Sequence, residues 1–429
     1  MPLTLLPGEA LRDLRKLYRR WLPRVAALGA ATLSLAACGD LLTVTSPDQV
    51  VASTLNDPLL APQLVNGAIA DFECAYTNYA AATGALTDEF DVSTAFINWT
   101  VWDARILQPN DVSLQGNDCT VGAWSVYGPL QTARFQAEGT AKRLEGWTDQ
   151  QVPNRTSLLA TAYAYAGYAY TLLGEGFCEM AIDVGPLLQP DSVLALAEAR
   201  FTSAITNAQA SNNTAILNMA LVGRARVRLD RGKGSLAATD AALVPAGFRR
   251  DATYSSVNER RKNTVWTRNQ RDLYTSVAAT FRNLAFDGVA DPRVPVTNAN
   301  RRGNDGLTPL WYQMKYKADN APIPLATYEE AQLIIAEVQG GQAAVDAINR
   351  IHAANGLPAF ASTDPAAIAA QVREERRRQF FADGHRLNDM LRFKLPFPTG
   401  QTLAGIPYGT VTCIPLSDAE RNNNPNVGR

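Results

Sequence analysis

Apolar residues recur at three- and four-residue steps through four stretches between Pro58 and Leu229, the spacing that lines one face of a helix. The first runs from Pro58 to Tyr79 with Leu64, Ala68, Phe72 and Ala75. The next three form a block: Ser157 to Leu173 (Leu159, Ala162, Ala166, Ala169, Leu173), Leu194 to Ala210 (Leu194, Ala197, Phe201, Ile205, Ala208) and Asn213 to Leu229 (Ile216, Ala220, Gly223, Val227). A short alanine-rich helix through Leu243 closes it. Many of the stripe positions are alanine, and Gly167 lets a neighbouring helix come close. Helix pairs of this length are similar to tetratricopeptide repeats, although the strict repeat consensus is absent. The periodicity is then lost from Pro245 to Pro324, a stretch broken by Pro292, Pro295, Pro309 and Pro322, with helical signal only around Arg271 to Leu284. Between these blocks, Thr87 to Asn117 is irregular and ends in turn signals at Pro109-Asn110 and Gly116-Asn117.

Periodicity returns from Ala326 to Phe393. Tyr328, Ala331, Ile335 and Val338 make one helix, and after Gly340-Gly341 the residues Ala344, Ile348 and Ile351 make a second, stopped by Gly356 and Pro358. Asp364 then stands at an N-cap position with Pro365 as the first helical residue. That third helix runs through Ile368, Val372 and the charged run Glu374 to Arg378 as far as Phe380-Phe381, where Gly384 ends or bends it.

The charged residues of this region have a recognisable order. Glu375-Arg376, Asp383-Gly384-His385-Arg386, Asp389, Arg392 and Phe393 resemble the closing motif of the SusD/RagB family of outer-membrane nutrient-binding lipoproteins, and Tyr328 to Glu337 resembles the helix that precedes it there. The chain departs from the family pattern at Gln379 and Asp383, where glutamate is usual, and at Phe393, where tryptophan is. A set of carboxylates with a histidine is also what a metal or acid–base site would offer. Bidentate Arg–carboxylate pairs that pin the last helices need no substrate, however, and the family is not known for catalysis. The resemblance therefore implies a structural role for Glu375, Arg376, Gly384, Arg386, Asp389 and Arg392.

At the other end, Arg12 to Arg24 is a basic leader and the thirteen residues Val25 to Ala37 carry no charge. That core is too short for the roughly 20 residues that cross a bilayer and suits a signal peptide. Leu35-Ala36-Ala37-Cys38 reads as a lipobox, which makes Cys38 the lipidated first residue of the mature chain and residues 1–37 a removed leader. The family opens with Cys-x-Asp-x-Leu and soon has Ser-Pro, and Cys38-Gly39-Asp40-Leu41-Leu42 with Ser46-Pro47 resembles that opening.

Composition removes several alternatives. With 40 basic and 41 acidic residues the net charge is −1, so nothing marks a nucleic-acid surface. The four cysteines beyond Cys38 contain no C-x-x-C pair that would suggest zinc or a redox centre; in an exported chain they allow two disulfides in three pairings. Cys74 and Cys119 flank the irregular aromatic region and are expected to be bonded, which leaves Cys178 with Cys413. A surface hydrolase has little support: the only histidines are His352 and His385, and neither H-E-x-x-H nor G-x-S-x-G occurs. Lys315-Tyr316 resembles a pair that recurs in the family, and Trp124 to Tyr127 a helix of packing residues.

The expectation is an all-α fold: a tetratricopeptide-like helix-pair scaffold with long irregular loops, SusD-like, in a single mature domain. Its parts are an N-terminal part 38–150, helical repeats 157–243, a loop-rich insert 245–324, closing helices 326–393 and an extended tail 394–429, with Asn422-Asn423-Asn424 disordered. Aromatic faces flanked by polar groups are where a sugar ring stacks, which nominates Trp99 and Trp102 and, in the insert, Trp311. The resemblance implies a non-catalytic lipoprotein on the outer membrane, without cofactor or metal. It would bind a glycan or peptide-like nutrient and pass it to a SusC-like TonB-dependent transporter. The rival is a helical-repeat scaffold for protein interaction, with a long smooth groove and no small-ligand pocket.

Overall fold

The computed structural model describes residues 54–120 and 125–427. Cys38, the leader before it, Ser46-Pro47 and Trp124 lie outside them. From Asp57 onward the chain forms one unit, made of helices with five two-stranded antiparallel sheets among the described residues. In chain order the elements are α1 (Ala61–Leu86), β1 (Phe90–Val92), α2 (Ile97–Asp103), α3 (Tyr127–Gly146), α4 (Arg155–Gly176), β2 (Met180–Ala181), β3 (Leu187–Leu188), α5 (Pro190–Ala210), α6 (Thr214–Asp230) and α7 (Gly234–Ala241). The insert holds β4 (Arg249–Ala252), β5 (Thr275–Val277), β6 (Ala285–Phe286), β7 (Val289–Ala290), β8 (Val296–Arg302), β9 (Pro309–Gln313) and β10 (Ile323–Thr327). It is followed by α8 (Tyr328–Gln339), α9 (Gly341–Ala354), α10 (Pro365–Gln379), α11 (Arg386–Arg392) and α12 (Asp418–Asn423).

The scaffold is a run of packed neighbours: α1 lies on α3 and α4, α4 on α3 and α5, and α5, α6 and α7 follow in series before α8 packs on α7. Small residues set the spacing. The buried ring of Phe201 on α5 is wedged against Gly167 of α4, where an added Cβ would sit 2.7 Å from it, and against Gly223 of α6. Tyr168 meets the same ring edge-on at 4.9 Å and donates its hydroxyl to the carbonyl of Met219. Alanine and glycine there exchange side-chain bulk for closeness of the backbones, so one aromatic fills the space of several aliphatics.

Beyond Tyr127, where a helix is expected by resemblance, the length of α3 has no sequence signal, and its inward positions explain why. Leu130, Ala133, Ala137, Ala141 and Leu144 face the core together with Arg134 and Thr140, a stripe too weakly apolar to stand out against glutamine, lysine and glutamate. The helical signal at 271–284 does not survive folding. Leu273 and Asn283 both have left-handed φ, +61° and +55°, and between them β5 pairs with β1 in the register Phe90↔Val277, Asp91↔Ser276 and Val92↔Thr275. Strand pairing with a distant segment overrides the local spacing. The tail also differs. Asn422 and Asn423 belong to α12, capped by Ser417, and the buried Asn424 donates through Nδ2 to the carbonyl of Gly185.

Two disulfides cross the unit. Cys74 of α1 is bonded to Cys119, with Cα atoms 5.8 Å apart, and Cys178 after α4 to Cys413 of the tail at 5.1 Å. Backbone bonds from Cys178 N to Ile414 O and from Ile414 N to Gly176 O flank the second.

Candidate functional site

The closing motif folds into a buried charge network. Asp364 caps α10 through the backbone N–H groups of Ala366 and Ala367, and Pro365 starts the helix. Nearly three turns on, Glu375 accepts from Arg293 at 2.6 Å and faces His352 Nε2 at 2.9 Å. The other nitrogen of His352 lies 2.6 Å from the carbonyl of Pro358. Both ring nitrogens thus face acceptors. Burial alone would lower the pKa of His352, but the Glu375 carboxylate outweighs it and the shift is upward.

Arg376 grips Asp389 with Nε and Nη2 at 2.8–3.0 Å, tying α10 to α11. Arg392 reaches Glu337 of α8 at 2.7 Å and Asp389 at 3.1 Å, while Arg386 holds Asp88 bidentately at 2.6 and 2.7 Å. Burial would push Asp389 up, yet the Arg376 and Arg392 guanidiniums hold it down at about 2. Gly384 has φ +88°, and a Cβ added there would sit 3.3 Å from the backbone of Ala80, so a side chain would meet both strain and contact.

His385 sits in the same network. Burial and Arg226 oppose its protonation and the Asp383 and Glu330 carboxylates favour it, with a net upward pull. The 2.7 Å approach of Arg226 Nη1 to Nε2 suits a neutral ring that donates Nδ1–H to Asp383 at 2.9 Å. Lys315 donates to the carbonyls of Gln379 and Phe381 at 3.2 and 2.8 Å, so it fastens the insert to the end of α10. His385, Asp383, Glu330, Lys315 and Gln379 line a cleft of about 750 Å³ between the insert and the closing helices, together with Arg249, Lys317 and Tyr316. Both histidines are buried and engaged, and no group of three or more His, Cys, Asp and Glu among the described residues could hold a metal ion.

The nominated tryptophans part company. Trp99 and Trp102 of α2 are 1% and 0% exposed and belong to the main core. Trp102 donates Nε1–H to Ser113 Oγ at 3.0 Å. Neither ring can offer a face to a ligand, because α2 turns both inward under the loop that follows. Trp311 of β9 is partly buried. The Arg282 guanidinium covers its ring at 4.9 Å, and its backbone N–H bonds Ser276.

The residues that do reach the surface beside α2 are different ones. Phe96, just before the helix, is 51% exposed and meets Tyr274 edge-on at 5.3 Å. Behind them Arg268 is buried, paired to Asp272 at 2.8 Å, with its guanidinium 5.3 Å from the Trp99 ring and 5.7 Å from that of Tyr274. Thr94 donates to Asn304 at 3.0 Å, fastening the 303–308 loop alongside, and Ile97 is exposed next to Phe96. Trp99 thus serves as the fixed backing of an aromatic edge. Phe96 was visible in sequence only as one ring among several, and Tyr274 was hidden in a stretch read as helix.

A SusD family model matches residues 325–427, the segment that carries the charge network. Over that segment the chain is similar to the SusD/RagB family. Solved structures share the fold well beyond that segment. A SusD superfamily protein from Bacteroides vulgatus has a TM-score of 0.65 at 14% identity, over 87% of this chain and 99% of that one. A SusD superfamily protein from Parabacteroides distasonis gives 0.64 at 13%, over 89% and 99%, and a SusD-like carbohydrate binding protein from B. vulgatus gives 0.62 at 14%, over 86% and 97%. No curated protein sequence matches the chain. The fold is thus the mostly helical SusD-like one, with helix pairs and small two-stranded sheets. No helix among the described residues is long and apolar enough to cross a membrane.

Proposed function

We propose that this SusD/RagB-like protein is a non-catalytic surface receptor. It binds a carbohydrate at the Phe96–Tyr274 edge and passes it to a SusC-like TonB-dependent transporter while an acylated Cys38 holds it to the outer membrane. The observation that carries the reading is a half-exposed phenylalanine ring buttressed by a tyrosine and a buried cation–aromatic stack, with amide and hydroxyl groups alongside. A preorganised ring of this kind stacks on the apolar face of a pyranose at little entropic cost. A solved neighbour described as a carbohydrate binding protein supports the same ligand class. Trp311 stays a secondary candidate because Arg282 covers its ring. The 750 Å³ cleft argues against the smooth-groove scaffold reading.

The test is a panel of neutral oligosaccharides against the mature protein and its Phe96→Ala/Tyr274→Ala variant. Each ring is expected to contribute about 1 kcal/mol, roughly fivefold in affinity, with thermal stability nearly unchanged. Undiminished binding by the variant, or turnover of a saccharide, would overturn the reading. The membrane part has its own check: Cys38→Ala is expected to leave the membrane fraction, and the lipidated protein to bring a β-barrel with it from mild detergent.

A further inference from the structure

A second exposed ring stands on the helical scaffold, where the first half of the chain has no other use for it. Phe135 is 60% exposed on α3, with the Arg134 guanidinium 5.8 Å from its ring centre. It forms the shared rim of two clefts. One, of about 440 Å³, runs toward Tyr163 and Arg200 across α4 and α5; the other, of about 510 Å³, runs toward Gln131, Gln136 and the tip of the β2–β3 hairpin. That tip is unusual. Asp183 and Val184 both have left-handed φ, +50° and +61°, and a β-branched residue there is an outlier that persists only when its surroundings hold it. Arg134 holds Asp183 at 2.6 Å, and Asn426 and Asn424 of the tail donate to the carbonyls of Val184 and Gly185 at 2.7 and 2.9 Å. The tail thus braces a strained turn that keeps an exposed Val184 at the wall of the second cleft.

The charges of the first cleft decide what it suits. Its lining has three cations, Arg134, Lys142 and Arg200, and three anions, Glu138, Glu145 and Asp183. Arg200 pairs with Glu138, Arg134 with Asp183, and Glu145 accepts from the Tyr163 hydroxyl. A cleft that balances its own charge does not draw an ion. Paired guanidinium and carboxylate groups instead present donors and acceptors side by side, the complement of neighbouring hydroxyls on a neutral ring.

We propose that Phe135 and the two clefts beside it form a second neutral-saccharide subsite, which shares no residue with the Phe96–Tyr274 edge. This inference rests on the carbohydrate reading above and names a further site for the same ligand class. Isothermal titration of the mature protein with neutral hexasaccharides of α-glucan, β-glucan, xylan and mannan type tests it. In the Phe96→Ala/Tyr274→Ala background a residual binding event is expected, weakened about tenfold by Phe135→Ala and restored by Phe135→Trp. Because the Phe135 ring is largely in solvent, neither Phe135 substitution is expected to move the thermal midpoint of that background. A wild type that binds one saccharide, loses it in the double variant and is indifferent to Phe135→Ala overturns the subsite and leaves the capture reading standing. A wild type that binds none of the four overturns both.

Discussion

The closing helices and the aromatic edge beside α2 are both built on buried arginine, and they use it in opposite ways. In the closing region each guanidinium finds carboxylates, Arg376 with Asp389 and Arg386 with Asp88, so the charges hold helices to one another. At the edge, Arg268 keeps one carboxylate, Asp272, and spends its flat face on Trp99 and Tyr274. The first arrangement turns its charges on one another and fixes positions. The second stiffens a surface ring and leaves its outer side open. In this chain the charged motif marks where the helices are closed, and the proposed function assigns the exposed ring to a ligand.

The largest effect expected from breaking this contrast lies in the closing region. Asp389→Ala leaves the buried Arg376 without its bidentate partner and is expected to cost about 3–5 kcal/mol in chemical denaturation. Arg376→Met combined with Asp389→Leu should recover much of it, since an apolar pair removes the charge and its desolvation together. Recovery would show that the pair specifies geometry more than it stabilises.

Trp102→Ala comes next. As a fully buried ring it is expected to cost about 3–4 kcal/mol, whereas Phe96→Ala, six residues earlier, should stay within about 1 kcal/mol. Equal losses at the two positions would put Phe96 in the core and remove the edge.

A smaller, pH-dependent effect belongs to Glu89, beneath β1. Burial pushes its carboxyl up to about 8, although the Ala382 N–H donates to it. The folded protein therefore holds a proton that the unfolded chain releases near pH 4.5. Stability from this group is full below pH 4.5 and falls as pH rises through 8. Glu89→Gln keeps an acceptor for Ala382 and removes the proton, so denaturation midpoints between pH 5 and 8 should lose that part of their slope. Asp389 works in the other direction: its contribution is present above pH 4 and fades as pH falls through about 2.

The residues that made the fold legible are those whose local chemistry agrees with their tertiary role. Asp364 caps the helix it precedes, Gly384 takes the backbone angle that only glycine adopts cheaply, and Gly167 makes the gap that Phe201 fills. Sequence was misleading where distant partners decide. Val277 and Phe281 have helical spacing, yet β1 draws Val277 into a strand. Trp99 and Trp102 sit among polar residues, as surface aromatics do, and burial by α2 reverses that expectation. The exposed pair was hidden for the same reason, since Phe96 and Tyr274 are 178 positions apart and only the folded chain makes them neighbours.

The two disulfides become possible at different points of synthesis, because one spans 45 positions and the other 235. A chain made from its N-terminus can join Cys74 to Cys119 early, while Cys178 must wait until nearly the last residues exist. Until then the molecule carries an odd thiol beside the scaffold. Any product cut short before Cys413 carries it permanently, which gives a quality-control thiol probe a direct means of telling finished molecules from unfinished ones.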